Sequence, residues 1–280
     1  MSSFRFRFLA VTAPLVLALA ASPALAVSWG LDVIDQRDLP LNNTYTPSRG
    51  NGGLGYTIWV IGTGINDTHV EFTGRAQQVA NFADGPNEDT NGHGTWVASI
   101  AGGATFGVAP HAQLRGVRVI DECGQTNPNW IIAGIEYVQN NASGSSVAVF
   151  PFAFERNAAI DTAINNLVNS GVPVAVAAGD EPIDACDLSP ARATNALTVG
   201  AHDVSLTRPS WQAYGGCIEI FAPGESIPGA WHTSDTATNT LSGTAASAAF
   251  VAGALTLYGK NANALLNNAT PMGGWLMLYV

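Results

Sequence analysis

The chain has 280 residues, of which 11% are charged, and its formal net charge is −10 at pH 7. Globular proteins typically carry about 25% charged residues. The surface of this protein is therefore expected to carry few charged side chains. The chain has 11 basic residues against 21 acidic ones, so it lacks the excess of Lys and Arg that nucleic-acid binding requires. This composition excludes nucleic-acid binding as the function.

The first 26 residues have the pattern of a secretory signal peptide. Arg5 and Arg7 form a charged start, residues 9–21 form an apolar run, and Ala24-Leu25-Ala26 is a cleavage motif. The alternative is a membrane anchor, but the run is shorter than the ~20 residues that a span needs. The sequence therefore predicts a signal peptide over 1–26, a secreted protein and no membrane association after cleavage.

The remaining chain alternates apolar β-branched runs with helical patterns. Short continuous apolar runs predict strands that are buried on both faces of a parallel sheet. The predicted strands are 56–61, 113–120, 147–150, 173–177, 196–199 and 218–221, and the predicted helices are 130–139, 158–168 and 244–258. This alternation predicts an α/β fold with one doubly wound, mostly parallel sheet flanked by helices. Residues 27–280 are expected to form a single domain.

Functional sites of such sheets lie at the carboxyl ends of the strands. Gly62 and Asp180 follow two predicted strands, and Ala245 opens a predicted helix of small residues. We expect these positions to meet at one edge of the sheet.

Three cysteines, Cys123, Cys186 and Cys217, occur in a chain that is predicted to be exported. An oxidising compartment favours one disulfide and one remaining thiol. Counting alone leaves all three pairings open.

Several spaced motifs occur in the order of one known family. The matching blocks are 29–32, 34–41, 91–95, 176–179, 189–192, 221–224 and 241–253. On these blocks the chain resembles the subtilases, and most closely the secreted proteinase K and aqualysin branch, from residue 29 to about residue 270. The resemblance implies a subtilisin-like fold.

The resemblance also assigns the four catalytic positions, and three of them have lost the required side chain. The general base is His93, which is present, whereas the acid position is Gly62, the oxyanion asparagine position is Asp180 and the nucleophile position is Ala245. A triad needs a hydroxyl, a base and an orienting acid. In this family, loss of the nucleophile lowers turnover about 10⁶-fold and loss of the oxyanion donor about 10²–10³-fold. An ionised Asp180 is also expected to repel a developing oxyanion.

Neighbouring side chains are poor substitutes for the missing groups. Ser242 precedes the nucleophile position by three residues, and Ser247 lies about 200° around a helix from it. Asp67 lies five residues beyond Gly62, in a predicted loop. We expect no rescue from these residues, and His93 is then an inherited polar residue rather than a working base.

The substrate-binding edge of the family, usually Ser-Leu-Gly-Gly, aligns with Pro151, Phe152, Ala153 and Phe154. Proline removes a backbone donor, and Phe154 adds bulk where glycine leaves space. The alternative interpretation is simply a more apolar core strand. Both interpretations predict weak peptide binding in the standard register.

Two further features are implied by the resemblance. Cys186 and Cys217 align with a bonded pair, which leaves Cys123 free. Glu219 aligns with a calcium-binding aspartate, and backbone carbonyls of Thr194 and Ala196 would complete a structural Ca²⁺ site. A solvated edge carboxylate is the alternative for Glu219.

The sequence as a whole predicts a secreted subtilisin-like pseudoprotease that does not hydrolyse peptide bonds and requires no cofactor. Active relatives carry a long pro-segment, which is not expected here, and the chain ends shortly after the last matching block. The predicted partner is a polypeptide or a protease inhibitor. Two alternatives stay open: a serine endopeptidase with unorthodox catalytic residues, and a decaying paralogue without a selected role.

Overall fold

The computed structural model describes residues 27–280, so the predicted signal peptide lies outside the described residues. The helices of this part are α1 (Trp29–Ile34), α2 (His93–Gly102), α3 (Pro128–Asn141), α4 (Ala158–Asn169), α5 (Thr244–Leu257) and α6 (Ala262–Asn268), with a short 3-10 helix over Ala185–Asp187. The strands are β1 (Thr57–Gly62), β2 (Ala76–Asn81), β3 (Gln113–Arg118), β4 (Ser146–Phe150), β5 (Phe154–Glu155), β6 (Val174–Ala177), β7 (Leu188–Ser189), β8 (Leu197–His202), β9 (Ile220–Pro223), β10 (Ile227–Ala230), β11 (Thr238–Leu241), β12 (Thr270–Met272) and β13 (Trp275–Met277).

Nine strands form one sheet in the order β12-β13-β9-β8-β6-β4-β1-β3-β2. Neighbours from β13 to β2 pair in parallel, and β12 pairs with β13 in the antiparallel direction. The strands β10 and β11 form a separate antiparallel ribbon, as do β5 and β7. Parallel neighbours require long crossover connections. Most of these contain helices, whereas the connections from β6 to β8 and from β8 to β9 contain no α-helix.

Both faces of the sheet are covered by helices. In β1, Ile58 and Val60 belong to a core that includes α2 and α5. Trp59 and Ile61 point the opposite way, into a core that includes α3 and α4. Alternate residues of one strand thus reach two cores, which confirms the predicted α/β fold with a doubly wound sheet.

The α5 helix is buried along its whole length. A Cβ atom at Gly253 would lie 2.6 Å from the carbonyl oxygen of Ala101 in α2. The two helix backbones therefore approach each other so closely that only glycine fits at this point. This contact fixes α5, and with it Ala245 at its start.

The predicted strand 113–120 is too long by two residues. The carbonyl of Gly62 accepts hydrogen bonds from both Val119 and Ile120 (2.8 and 3.2 Å), so the chain leaves the ladder after Arg118. The buried guanidinium of Arg118 donates to carbonyl oxygens of the 84–88 segment. These hydrogen bonds of Arg118 fix the position of the loop that leads to α2.

Other predicted elements are present with boundary shifts of at most three residues, and several observed elements were not predicted. The prediction missed α1, α2, α6, β2 and the short strands β5, β7 and β10–β13. The α2 helix is buried on every residue after His93, so it lacks the polar face that makes a helical period visible. In β2 most residues are only half buried, and no apolar run marks the strand.

Candidate functional site

The four catalytic positions lie where the carboxyl ends of central strands meet two helix N-termini. Gly62 ends β1, His93 begins α2, Asp180 follows β6 by three residues, and Ala245 is the second residue of α5. His93, Asp180 and Thr244 line one pocket of about 590 Å³. The fold thus brings these positions to the expected edge of the sheet.

His93 is positioned by the N-terminus of α2, which Asp89 caps. The buried carboxylate of Asp89 accepts hydrogen bonds from the backbone N–H groups of Gly92 (2.8 Å) and Thr95 (2.9 Å) and from the Thr63 hydroxyl (2.9 Å). Gly92 has a φ of 105°, which favours glycine. The turn before His93 is therefore fixed by buried hydrogen bonds.

The imidazole of His93 has no orienting acid. Burial lowers its pKa below 6.5, and the negative charges of Asp89 and Asp180 oppose this shift only in part. The centroids of the His93 and Trp96 rings are 5.7 Å apart, and the two rings are tilted relative to each other. Among the described residues, no side chain or carbonyl forms a hydrogen bond with either ring nitrogen. The ring is therefore a neutral base at pH 7 without the contacts that fix its tautomer in a triad.

No carboxylate in the described part of the chain replaces the missing acid at Gly62. Asp67 accepts a hydrogen bond from the backbone of Gln78 (2.9 Å), and the carboxylate of Asp89 is occupied in capping α2. A Cβ atom at Gly62 would meet only Pro151, at 3.7 Å. A Cβ atom therefore fits at Gly62 without displacing a neighbour.

The hydroxyls near Ala245 are all engaged away from His93. Ser242 accepts from the backbone of Ser226 (2.9 Å), and Ser247 donates to the carbonyl of Ala222 (3.0 Å). The Thr244 hydroxyl donates to Asp180 (2.8 Å). Ala245 itself is 4% exposed and carries no group that can attack a carbonyl.

Asp180, at the position that the resemblance implies for the oxyanion donor, is a hydrogen-bond acceptor. Its Oδ1 accepts from both the backbone N–H and the hydroxyl of Thr244, each at 2.8 Å. The N-cap residue of α5, Gly243, has no side chain to cap the helix. The carboxylate of Asp180 therefore caps α5 from outside the helix, and negative charge at a helix N-terminus is favourable. Sequence reasoning missed this role, because the two residues are 64 positions apart and no local cap motif marks the contact.

The Asp180→Ala variant is expected to lose about 1–2 kcal/mol of unfolding free energy, since it removes a charged helix cap. Asp180→Asn should lose less, because its amide oxygen can still accept both hydrogen bonds from Thr244. Urea unfolding of the two variants checks this order. Glu181→Ala, an exposed neighbour, is the matched control, and an equal loss in that variant would contradict the capping role.

The predicted substrate edge lies in the same pocket. Pro151, Phe152, Ala153 and Phe154 all line it, and the Phe152 ring stacks on Phe150 at 4.1 Å between centroids. Phe154 pairs with Ser189 in the β5–β7 ribbon. The sequence did not indicate that residues 155, 181, 183 and 188 also line the pocket, because residues 155 and 188 belong to the short strands β5 and β7 and residues 181 and 183 to the segment after β6.

The structure joins Cys186 and Cys217 in a disulfide, with 5.4 Å between their Cα atoms, as the resemblance implies. Cys123 is free and exposed, also in agreement with the prediction.

Glu219 directly precedes β9 in the chain, and it does not line the pocket. Its carboxylate accepts from the backbone of Thr198 at 2.6 Å. Burial raises the pKa of Glu219 to about 7, and that hydrogen bond offsets the shift only in part. Among residues 27–280, no group of three or more His, Cys, Asp or Glu side chains is arranged to hold a metal ion.

No helix among the described residues is both long and apolar enough to cross a membrane.

Comparisons with known proteins agree with this geometry. A family model described as "Subtilase family" matches residues 53–277. The chain is 45% identical to an "Extracellular serine proteinase" of Thermus sp. (strain Rt41A) over 261 residues, which cover 89% of this chain and 62% of the relative. It is 44% identical to "Alkaline serine exoprotease A" of Vibrio alginolyticus over 232 residues, covering 82% of this chain and 43% of the relative. The chain thus spans less than two thirds of the length of these two relatives.

A solved structure has a closely similar fold. It is the crystal structure of a cold adapted subtilisin-like serine proteinase, with a TM-score of 0.85 and 37% sequence identity, and the match covers 91% of this chain and 98% of that one.

Proposed function

Because the chain belongs to the subtilase family, we propose that it is a secreted, non-hydrolysing member that binds polypeptide through its retained scaffold. The observation that carries the proposal is Ala245, which stands at the start of α5 where the family places its nucleophile. Without a hydroxyl at this point, the covalent route of a serine protease has no first step. Secretion is supported by the signal-like pattern of residues 1–26 and by the relative named as extracellular.

The surrounding contacts support the same proposal. Ser242, Thr244 and Ser247 are held by other partners, so none is free to attack a substrate. The carboxylate of Asp180 stands where a tetrahedral intermediate needs a hydrogen-bond donor. Peptide hydrolysis would therefore lack its nucleophile, its orienting acid and one oxyanion donor at once.

Purified protein tests the proposal directly. We expect no hydrolysis of casein or of an activated peptide above the buffer rate, and no covalent labelling by a fluorophosphonate. The control is the His93→Ala variant, which should behave like the unmodified chain. Clear turnover that His93→Ala abolishes would overturn the proposal and mean that a nucleophile outside position 245 acts.

A serine endopeptidase with unorthodox residues is the second candidate, and the names of the relatives favour it, since both are called serine proteases. The hydrolysis and labelling experiment decides between the two. The third candidate, a decaying paralogue, differs in having no partner. A pull-down from culture fluid, with a variant of the pocket as control, separates it from a binding protein.

We also propose a structural Ca²⁺ at Glu219. One carboxylate oxygen accepts from Thr198, and the other makes no hydrogen bond with the described residues. One free carboxylate oxygen with the carbonyls of Thr194 and Ala196 would form the oxygen set that Ca²⁺ prefers. The ion would supply positive charge beside a partly buried carboxylate, and it has no part in chemistry at the pocket.

Excess Ca²⁺ is expected to raise the melting temperature by a few degrees over the chelated protein, because a ligand that binds only the native state stabilises it. Differential scanning calorimetry measures the shift, and Glu219→Gln should remove it. The exposed Glu136→Gln change should leave it intact. Equal melting temperatures with calcium and with chelator would rule the site out.

A further inference from the structure

The pocket beside His93 combines apolar walls with acidic groups. Its volume is about 590 Å³, within the range of about 300–1,000 Å³ that ligand pockets have. Phe152, Phe154, Ile183 and Leu188 supply apolar surface to the lining. Such walls suit the aliphatic part of a long side chain.

Three carboxylates belong to the same lining, those of Glu155, Asp180 and Glu181. Glu155 and Glu181 are exposed, and neither forms a salt bridge within residues 27–280. Asp180 uses Oδ1 to cap α5, while its Oδ2 makes no hydrogen bond with any described residue. The acidic groups of the pocket thus have free acceptor oxygens.

Among residues 27–280, no lysine or arginine lines the pocket to balance these charges. Arg156, which follows Glu155, lies 3.9 Å from Asp187. Lys260 donates to the carbonyl of Gly171, and it is the single lysine of the chain. The pocket therefore has uncompensated negative charge, on a protein whose formal net charge is −10.

We propose that this pocket receives the side chain of an arginine or lysine residue from a bound polypeptide, an inference that rests on the proposed binding function. The aliphatic stem would lie against the aromatic and aliphatic walls, and the cationic head would reach the carboxylates. Charge-assisted hydrogen bonds to carboxylates are about twice as strong as neutral ones. A neutral side chain does not form these charge-assisted hydrogen bonds, and the carboxylates of the pocket repel an acidic side chain. The negative field of the chain also attracts a basic partner over a longer range.

Fluorescence anisotropy with three labelled peptides tests the inference. The peptides are identical except for one central residue, which is arginine, norleucine or glutamate. We expect the arginine peptide to bind about ten-fold more tightly than the norleucine peptide, which corresponds to about 1.4 kcal/mol. The glutamate peptide should bind most weakly. Salt at about 0.5 M should reduce the preference, since it screens the exposed carboxylates.

The double variant Glu155→Gln, Glu181→Gln should bring the preference for arginine over norleucine close to unity. Asp180 is left intact in this variant because it caps α5. The matched control is Asp38→Asn with Glu136→Gln, two exposed positions outside the pocket, which removes the same charge and should keep the preference. If the control variant loses the arginine preference to the same extent, the preference reflects only the general attraction between an acidic protein and a basic peptide. That result overturns the inference.

Equal binding of the arginine and norleucine peptides, or no binding of any peptide, overturns it as well. Mass spectrometry of the same mixtures reports cleavage separately. Cleaved peptide contradicts the non-hydrolysing function. Intact peptides that bind without arginine preference contradict only the basic-residue pocket, whereas no binding of any peptide contradicts the proposed binding function as well.

Discussion

Restoring three side chains together, as Gly62→Asp, Asp180→Asn and Ala245→Ser, is expected to give hydrolysis of an activated peptide at least ~10³-fold above any of the single variants. The three groups act as one unit with His93: a nucleophile, an orienting acid and an oxyanion donor. Each single change leaves two of these functions absent. The gain should therefore appear only in combination.

The backbone contacts are compatible with this reconstruction. A Cβ atom at Gly62 would meet only Pro151, at an ordinary van der Waals distance of 3.7 Å. An asparagine at 180 can keep its oxygen on Thr244 and direct its amide N–H₂ towards the pocket. Ala245→Ser adds one oxygen to a residue that lies at the start of a rigid, buried helix.

We expect the triple variant to remain a weak protease. Pro151 lacks a backbone N–H, and Phe154 fills part of the pocket that lies next to His93. Adding Pro151→Ser and Phe154→Gly should raise the rate further. Initial rates with a chromogenic peptide measure each step, and the triple variant with His93→Ala is the control that must be inactive. Equal activity of Ala245→Ser alone and of the triple variant would contradict the idea of a single catalytic unit.

The sequence predicted the centre of the fold better than its edges. The strands β1, β4 and β6 are buried on both faces, so each forms a continuous apolar run that is visible in the sequence. In contrast, β2 at the sheet edge is half exposed and polar. The α2 helix is buried on every residue after His93, so it has no exposed polar face. The formation of β2 and α2 therefore depends on tertiary packing rather than on a local sequence pattern, and this is why the sequence did not predict them.

Short motifs in the sequence indicate the candidate catalytic positions, but they do not indicate the contacts of these residues. The cap that Asp180 provides to Thr244 joins segments 64 residues apart. Glu155 lies in β5 and Glu181 in the segment after β6, so the acidic character of the pocket is visible only in three dimensions. Sequence reasoning identified Asp180 as a lost donor, whereas the structure also shows that the same carboxylate stabilises the helix on which Ala245 lies.

His202 makes the folded protein sensitive to acid. The side chain is 1% exposed at the end of β8, and its Nδ1 lies 2.9 Å from the carbonyl oxygen of Asp203. Burial lowers the pKa of His202 to about 4, although the Asp203 carbonyl and carboxylate favour the charged form. In the unfolded chain the pKa returns to about 6.5. Below that pH the unfolded state binds a proton that the folded state does not.

The free energy of unfolding is therefore expected to fall by about 3 kcal/mol between about pH 7.5 and about pH 4 through this one residue. The loss begins as the pH drops below about 6.5 and is nearly complete at about pH 4, where the folded state also takes up the proton. His202→Gln keeps a donor for the Asp203 carbonyl but does not titrate. Urea unfolding at the two pH values should show a pH dependence that is about 3 kcal/mol smaller in this variant. His111→Gln changes an exposed histidine and should retain the full dependence, so equal pH dependence of the His202 variant and the unmodified protein would show that His202 does not set the acid limit.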